Sequence, residues 1–301
     1  MPAMTKTLLS FGHGFSARAL ARLLIPQGWR VIGTTRSPEK AEALRAEGTE
    51  PVIWPGADMA PHLSEATHLL LSAAPDDEGD PVLAALSDEI AAHAAHLEWV
   101  GYLSTTGVYG DHAGGWVDES TPLTPATRRG HQRVKAEAQW RSLAEAAGLP
   151  LHIFRLAGIY GPGRGPFAKV RRGTARQIIK PDQVFSRIHV DDIAQVLAAS
   201  IESPNPGAVY NVCDNEAAPP QDVLAHAAHL LGTDLPPPED YATAEMTPMA
   251  RSFYAESKRV RNDRIREELG VELIYPTYRE GLAALLALEE KERGARQAPR
   301  S

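Results

Sequence analysis

The chain has 301 residues, 43% of them hydrophobic, a formal net charge of −7 and a pI of about 5.9. This length supports a sizeable core in one large or two unequal domains. The acidic balance argues against a nucleic-acid partner, because proteins that bind phosphate backbones carry basic surfaces. No apolar run approaches the roughly 20 residues of a membrane span, so we expect no membrane partner.

The single cysteine, Cys213, excludes an internal disulfide and suits a reducing compartment. The first predicted strand starts within a few residues of Met1, which leaves no room for a signal peptide. We therefore expect a cytoplasmic protein.

The first 36 residues predict a strand, a tight turn, a helix and a second strand. The apolar run 7–11 suits a buried parallel strand, and the pattern over 16–27 predicts a helix. Between them stands Gly12-x-Gly14-x-x-Ala17, the dinucleotide fingerprint of a βαβ unit. Its loop amides and the helix N-terminus favour a pyrophosphate. The predicted cofactor contacts in this turn are Gly12, His13, Gly14, Phe15 and Ser16.

The end of the second strand indicates which dinucleotide binds. An NAD site usually has Asp or Glu there, to hold the ribose 2′-hydroxyl. Here the strand ends in Thr34-Thr35-Arg36-Ser37, and no acid precedes Glu39. Hydroxyls and a guanidinium suit a 2′-phosphate, so we predict NADP rather than NAD, with contacts from Thr35, Arg36 and Ser37.

Strands and helices then alternate regularly, which predicts a parallel, doubly wound sheet of Rossmann type, an α/β fold. We place Asp58 near the adenine, and Ala73 and Ala74 near the nicotinamide ribose. His93 and His96 lack a third ligand nearby, so no metal site is predicted. The predicted helices are 38–47, 80–95 and 126–147, and the strands 30–34, 51–54, 67–72, 98–104 and 151–155.

Beyond residue 165 the alternation loosens. We assign 1–165 to an NAD(P)-binding Rossmann domain and 166–301 mainly to a smaller C-terminal substrate lobe interleaved with it. A helix is predicted to start near Asp191 or Asp192, one of which would cap it, and a strand follows over 208–212. Further helices are predicted over 221–231, 262–269 and 278–291, and the charged tail should fray from about residue 293.

Five motifs in order resemble the short-chain dehydrogenase/reductase superfamily, in its extended and atypical branch related to NAD-dependent epimerase/dehydratases. The glycine spacing is similar to an atypical subgroup, and the resemblance covers most of the chain. The motifs are Gly12-x-Gly14-x-x-Ala17, Ser104-Thr105-Thr106-Gly107-Val108-Tyr109-Gly110, Arg155-Leu156-x-Gly158-Ile159-Tyr160-Gly161-Pro162-Gly163, Ile188-His189-Val190-Asp191-Asp192 and Ser257-Lys258-Arg259-Val260.

The resemblance implies a catalytic Ser or Thr, and a Tyr and Lys at i and i+4 on one helix face. Thr105 matches the first position and Lys135 the lysine, which would also bind the cofactor ribose. His131 stands at the tyrosine position, so the family tyrosine is missing. Three alternatives follow: His131 is the acid/base, Thr105, Tyr109 or a water serves instead, or the site binds NADP without turnover.

Substrate contacts are expected from Tyr109, Arg164 and Arg259. The resemblance thus implies an NADP-dependent oxidoreductase or epimerase/dehydratase-like enzyme acting on a small carbonyl, alcohol or sugar-type substrate. The alternative is a non-catalytic, NADP-binding redox sensor. The alanine-rich helices over 80–95 and 129–147 would suit a homodimer.

Overall fold

Short apolar runs form the centre of the fold, because strands covered on both faces bury every side chain. The computed structural model describes residues 6–297, without the side chains of Met249, Arg296 and Gln297. Seven strands form one sheet in which every pairing is parallel. From edge to edge they are β11 (Val209–Val212), β7 (Leu151–Leu156), β5 (Trp99–Thr105), β4 (His68–Leu71), β1 (Thr7–Phe11), β2 (Arg30–Thr35) and β3 (Glu50–Ile53).

Helices cover both faces of this sheet. On one face, Leu20 and Leu24 share a buried cluster with Ile193 and Leu197, which packs the first helix against a later one. On the other face, Trp140 packs among residues from three helices and the sheet. The first pair is α1 (Phe15–Leu24) and α7 (Val190–Glu202); the second face carries α3 (Ala60–Glu65), α4 (Pro81–Ala92) and α5 (Arg128–Ala147), and α2 (Pro38–Ala46) joins β2 to β3.

Three two-stranded parallel sheets lie outside the main sheet, and further helices follow in the C-terminal half. The paired strands are β6 (Trp116–Val117) with β13 (Arg259–Val260), β8 (Gly158–Tyr160) with β10 (Arg187–His189), and β9 (Ile178–Ile179) with β12 (Glu239–Asp240). The helices are α6 (Phe167–Arg171), α8 (Pro220–Leu231), α9 (Pro248–Phe253), α10 (Asp263–Glu267) and α11 (Tyr278–Gln297).

Cys213 lies where this half meets the sheet. The residue directly follows β11, is fully buried, and places its thiol 3.2 Å from the carbonyl oxygen of Val260 in β13. Burial raises the pKa of the thiol. The thiol is therefore a packing group between the sheet and the C-terminal half.

The predicted Rossmann-type α/β fold is confirmed, with the strand order 3-2-1-4-5 that such folds share. The first helix ends earlier than predicted, at Leu24, because Pro26 has no N–H to continue the α-helical ladder. Part of 166–301 joins the sheet layer, through β11 and α7. The last helix continues to Gln297, and residues 298–301 lie outside the described part of the chain. Among the described residues, no helix has the length and apolar character needed to span a membrane.

Candidate functional site

The glycine turn brings the ends of β1 and β4 together. Gly12 has a φ of 72°, and a Cβ there would lie 2.8 Å from the backbone nitrogen of Ala73. Only glycine fits both the left-handed backbone and this close approach. The Gly12 N–H donates to the hydroxyl of Thr34 at 2.8 Å, so β2 fixes the turn from the other side.

The start of α1 fits a dinucleotide pyrophosphate. A Cβ at Gly14 would meet only the carbonyl oxygen of Gly12, at 3.6 Å, so the protein itself leaves this space open. No side chain caps the helix and its first turn carries no acid. The Arg18 N–H donates to the Gly14 carbonyl, which leaves the earlier amides, those of Phe15 and Ser16 among them, for a ligand. Uncapped amides and the helix dipole favour a phosphate group here.

The structure corrects the predicted role of His13. Its side chain is 6% exposed and packs beneath β2, since a Cβ at Gly33 would lie 2.6 Å from the imidazole Cγ. Its backbone N–H donates to the Thr34 carbonyl at 3.0 Å. Burial lowers the pKa of this histidine to about 4, so the ring is neutral at pH 7. His13 supports the turn from the interior and presents neither its ring nor its amide to a cofactor.

The end of β2 places the predicted 2′-phosphate residues at the surface. Arg36 is exposed and, within residues 6–297, makes no hydrogen bond or ion pair. The Thr35 hydroxyl accepts from the Ser37 N–H at 3.3 Å, and the Ser37 hydroxyl caps α2 by accepting from the Lys40 N–H at 3.3 Å. Ser37 also donates to the Glu39 carboxylate, which lowers the pKa of that acid. Arg36 is thus the free cation at this edge, with a carboxylate close by.

The remaining predicted cofactor contacts follow β3 and β4. Asp58 is exposed, and its carboxylate accepts from the Ala60 N–H at 3.0 Å, which starts α3. Ala73 is half-buried and Ala74 exposed, directly beyond the end of β4. The Ser72 hydroxyl donates to the Gly12 carbonyl at 2.6 Å. The β4 exit and the glycine turn therefore form one continuous surface.

Thr105 ends β5, next to this surface. Its side chain is half-buried, and its hydroxyl oxygen accepts from the Gly107 N–H at 3.2 Å at the start of a 3₁₀ turn over Thr106–Tyr109. The hydroxyl hydrogen stays available to a substrate oxygen. A Cβ at Gly130 would lie 2.9 Å from the Gly107 carbonyl, so the first turn of α5 packs directly against the Thr105 turn.

One stripe of α5 holds the loop between β4 and α4. Lys135 is exposed, and its ammonium donates to the Asp77 carbonyl at 2.7 Å. One turn earlier, the Gln132 amide donates to the Asp77 carboxylate at 2.7 Å, and Arg128 forms an ion pair with the same carboxylate. The His131 imidazole is exposed and makes no hydrogen bond in the part of the chain that the structure describes. The predicted catalytic pair therefore points to a loop and to solvent.

Known proteins resemble this chain over most of its length. The NAD dependent epimerase/dehydratase family model matches residues 84–213. Protein YeeZ of Escherichia coli K12 is 31% identical over 288 residues, which cover 90% of this chain and 97% of YeeZ. The chain belongs to the same family as YeeZ, in the epimerase/dehydratase branch of the short-chain dehydrogenases/reductases.

Two solved structures resemble this member of the family. A protein from Silicibacter pomeroyi, described as functionally unknown and conserved, is 66% identical with a TM-score of 0.90, over 95% of this chain and all of that one. UDP-glucuronic acid 4-epimerase from Bacillus cereus, in complex with UDP-glucuronic acid and NAD, is 16% identical with a TM-score of 0.75, over 95% and 99%. The second likeness shows the shared fold.

The structure also corrects the role predicted for Tyr109. This residue is fully buried, its hydroxyl donates to the Asn211 amide oxygen at 2.7 Å, and it accepts from the Arg155 guanidinium at 2.9 Å. Burial raises the pKa of the phenol to about 12. Tyr109 therefore fixes the Thr105 turn from below and does not line a substrate site.

A buried ion pair that the sequence did not reveal completes this support. The Glu137 carboxylate accepts from the Ser104 hydroxyl at 2.5 Å and pairs with the Arg155 guanidinium at 2.9 Å. The available signal was an arginine within the otherwise apolar strand β7 and an acid on the same helix as Lys135. Neither pattern identifies the partner.

The two other predicted substrate arginines lie apart from this network. Arg164 is exposed, and its guanidinium stacks 5.7 Å from the ring of Phe15, the first residue of α1. It therefore lies beside the N-terminus of α1. Arg259 in β13 donates to the Gly114 carbonyl and is thus used in holding the 114–117 segment.

No cluster of three or more potential ligand side chains forms a metal site among the residues described. His93 and His96 face each other with ring centroids 5.1 Å apart, and the His96 ring contacts the Leu63 carbonyl at 3.2 Å. The imidazoles thus act as packing groups at the end of α4.

Proposed function

We propose that the chain binds NADP and acts as an oxidoreductase or epimerase/dehydratase-like enzyme on a small carbonyl, alcohol or sugar-type substrate. The observation that carries the proposal is the start of α1 at Gly14, where no side chain caps the helix amides and where an added Cβ would meet only the Gly12 carbonyl oxygen. The bound dinucleotide would supply hydride chemistry, and the protein would orient the reactants.

We assign each of these residues one role in binding or in the reaction. The amides of Phe15 and Ser16 would hold the pyrophosphate, and Arg36 would meet the 2′-phosphate. Thr105 would donate its free hydroxyl hydrogen to the reacting oxygen. His131, exposed on α5 near this turn, is the proposed proton carrier.

A redox sensor that binds NADP without turnover is the second candidate. The observation in its favour is that the Lys135 ammonium donates to the Asp77 carbonyl and that the His131 imidazole makes no hydrogen bond within 6–297. In a sensor, the reduced and oxidised cofactors would bind with different affinities while no substrate is converted.

Calorimetric titration with NADPH, NADP⁺ and NADH tests the cofactor assignment, and a panel of carbonyl substrates monitored by NADPH fluorescence tests turnover. Gly14→Val should abolish binding while the protein stays folded, because the added methyl groups project into the ligand space rather than the protein. Gly294→Val, in the last helix, is the matched control, since nothing lies within 4 Å of its added Cβ. Normal NADPH binding by the Gly14 variant would refute the proposal.

A further inference from the structure

Arg133 of α5 reaches the strand that carries Thr105. Its Nη1 donates to the Leu103 carbonyl at 2.8 Å and to the Tyr102 hydroxyl at 3.0 Å, and the guanidinium carbon lies 5.7 Å from the Tyr102 ring. Leu103 lies two residues before the carboxyl end of β5. In sheets of this type, ligands bind outside the carboxyl ends of the strands. The guanidinium thus stands at the ligand edge.

Helix geometry separates Arg133 from Lys135. With 3.6 residues per turn, two positions two residues apart point in directions that differ by about 200°. Gly130 and Glu137, which lie three residues before and four after Arg133, both contact the β5 end, through Gly107 and Ser104. Arg133 shares the face that meets the Thr105 turn, and Lys135 lies on the face that meets the β4–α4 loop.

The guanidinium of Arg133 keeps donors for a ligand. Nη1 makes both of its hydrogen bonds within the protein, whereas Nε and Nη2 make none among the residues described and are not buried. A guanidinium offers five N–H donors in a planar fork, so three remain. Because the side chain is half-buried and fixed by two hydrogen bonds, these donors are held in place before a ligand arrives.

We propose that Arg133, rather than Lys135, is the cation that α5 presents to the nicotinamide half of the bound dinucleotide and its ribose. This inference rests on the proposed dinucleotide binding. A guanidinium keeps its charge over the whole working pH range and cannot pass a proton. Arg133 therefore orients the ribose and stabilises negative charge on a reacting oxygen at Thr105, and the proton comes from another group.

Binding of two probes to the full chain tests the inference. NADP⁺ contains the nicotinamide half, and 2′,5′-ADP contains only the adenosine half. Arg133→Ala should weaken NADP⁺ binding about tenfold, the usual size of a lost charged hydrogen bond, and leave 2′,5′-ADP binding within about twofold. Arg133→Lys should restore part of the NADP⁺ affinity. Lys135→Ala should leave the affinity for both probes within about twofold.

The matched control is Tyr102→Phe, which removes one of the two internal hydrogen-bond partners of Arg133 and keeps the cation. Two results would assign Arg133 a structural role and overturn the inference. One is that Arg133→Ala weakens the binding of both probes equally. The other is that Tyr102→Phe weakens NADP⁺ binding as much as Arg133→Ala does. A tenfold loss of NADP⁺ binding confined to Lys135→Ala would also overturn it. If the unmodified protein binds neither 2′,5′-ADP nor NADP⁺, the proposed function itself is refuted, whatever the Arg133 variants do.

Discussion

Arg155 and Glu137 form a bidentate ion pair, in which Nη2 lies 2.9 Å from Oε2 and Nε lies 3.2 Å from Oε1. The side chains of Arg155 and Glu137 are only 4% and 2% exposed. The remaining guanidinium nitrogen donates to Tyr109, whose backbone belongs to the turn that follows Thr105. One buried pair thus joins α5, β7 and the Thr105 turn. The position of the candidate reacting hydroxyl depends on it.

Glu137→Gln should destabilise the fold by about 3 kcal/mol, because it leaves the Arg155 guanidinium buried without a counter-charge. Glutamine keeps the shape of the glutamate side chain, so the loss of stability measures the effect of removing the charge. Urea unfolding would measure it. The control is Glu145→Gln, on the same helix but exposed, which should change the free energy of unfolding by less than about 0.5 kcal/mol. Equal values for the two variants would contradict the ion-pair argument.

Arg36→Asp should reverse the order of affinity for NADPH and NADH. The unmodified protein should bind NADPH more tightly, because the free guanidinium can pair with the 2′-phosphate. A carboxylate at this position repels that phosphate and can accept from a 2′-hydroxyl. Calorimetry with both cofactors measures the change. The control is Arg45→Asp, because Arg45 is exposed like Arg36 but lies on α2. Tighter binding of NADH by the unmodified protein would be the contrary result.

His131→Phe should lower kcat on the order of 10²-fold or more, the usual effect of removing a general acid or base. NADPH affinity should change little, since the exposed imidazole makes no contact with the glycine turn. The measurement requires the substrate that the carbonyl panel identifies. His229→Phe, at an exposed position of α8, is the control for a surface histidine. An unchanged kcat in the His131 variant would exclude the imidazole from the reaction.

Stability should fall as the pH rises from 6 to 8, through Asp214. Burial raises the pKa of this carboxyl to about 8, above its ordinary 3.8, so the folded state binds a proton that the unfolded state has lost. The stabilising contribution of Asp214 to the free energy of unfolding is fully present below pH 3.8, declines between pH 3.8 and 8, and is lost above pH 8. The asparagine in Asp214→Asn cannot titrate. The unfolding free energy of this variant should therefore differ between pH 6 and pH 8 by about 2 kcal/mol less than that of the unmodified protein. The same pH difference in both proteins would refute the assignment.

Local patterns predicted the elements that depend on neighbouring residues in sequence. The strand, glycine turn and helix over the first 27 residues follow from apolar spacing and from the need for an open approach at Gly14. His13 was misplaced for the same reason. The motif locates the backbone of the turn but does not determine whether the His13 side chain points to a ligand or packs against β2 at Gly33.

The face that a helix turns to the sheet was not predictable from spacing alone. An i, i+4 pair such as His131 and Lys135 fixes a stripe of α5, but neighbouring stripes have the same period. The burial of Glu137 against β5 and β7 identifies the inner face, and Arg133, four residues earlier, shares that face. The network of Tyr109 joins residues more than 40 positions apart, which leaves no local signal.

The buried Cys213 makes the chain a ready reporter of opening between its two halves. Its thiol is fully buried and contacts the Val260 carbonyl of β13, so an alkylating reagent can reach it only when the packing around it opens. Since no other cysteine is present, every labelled molecule records one such event. Labelling rates with and without added dinucleotide would therefore test whether a bound dinucleotide slows this opening.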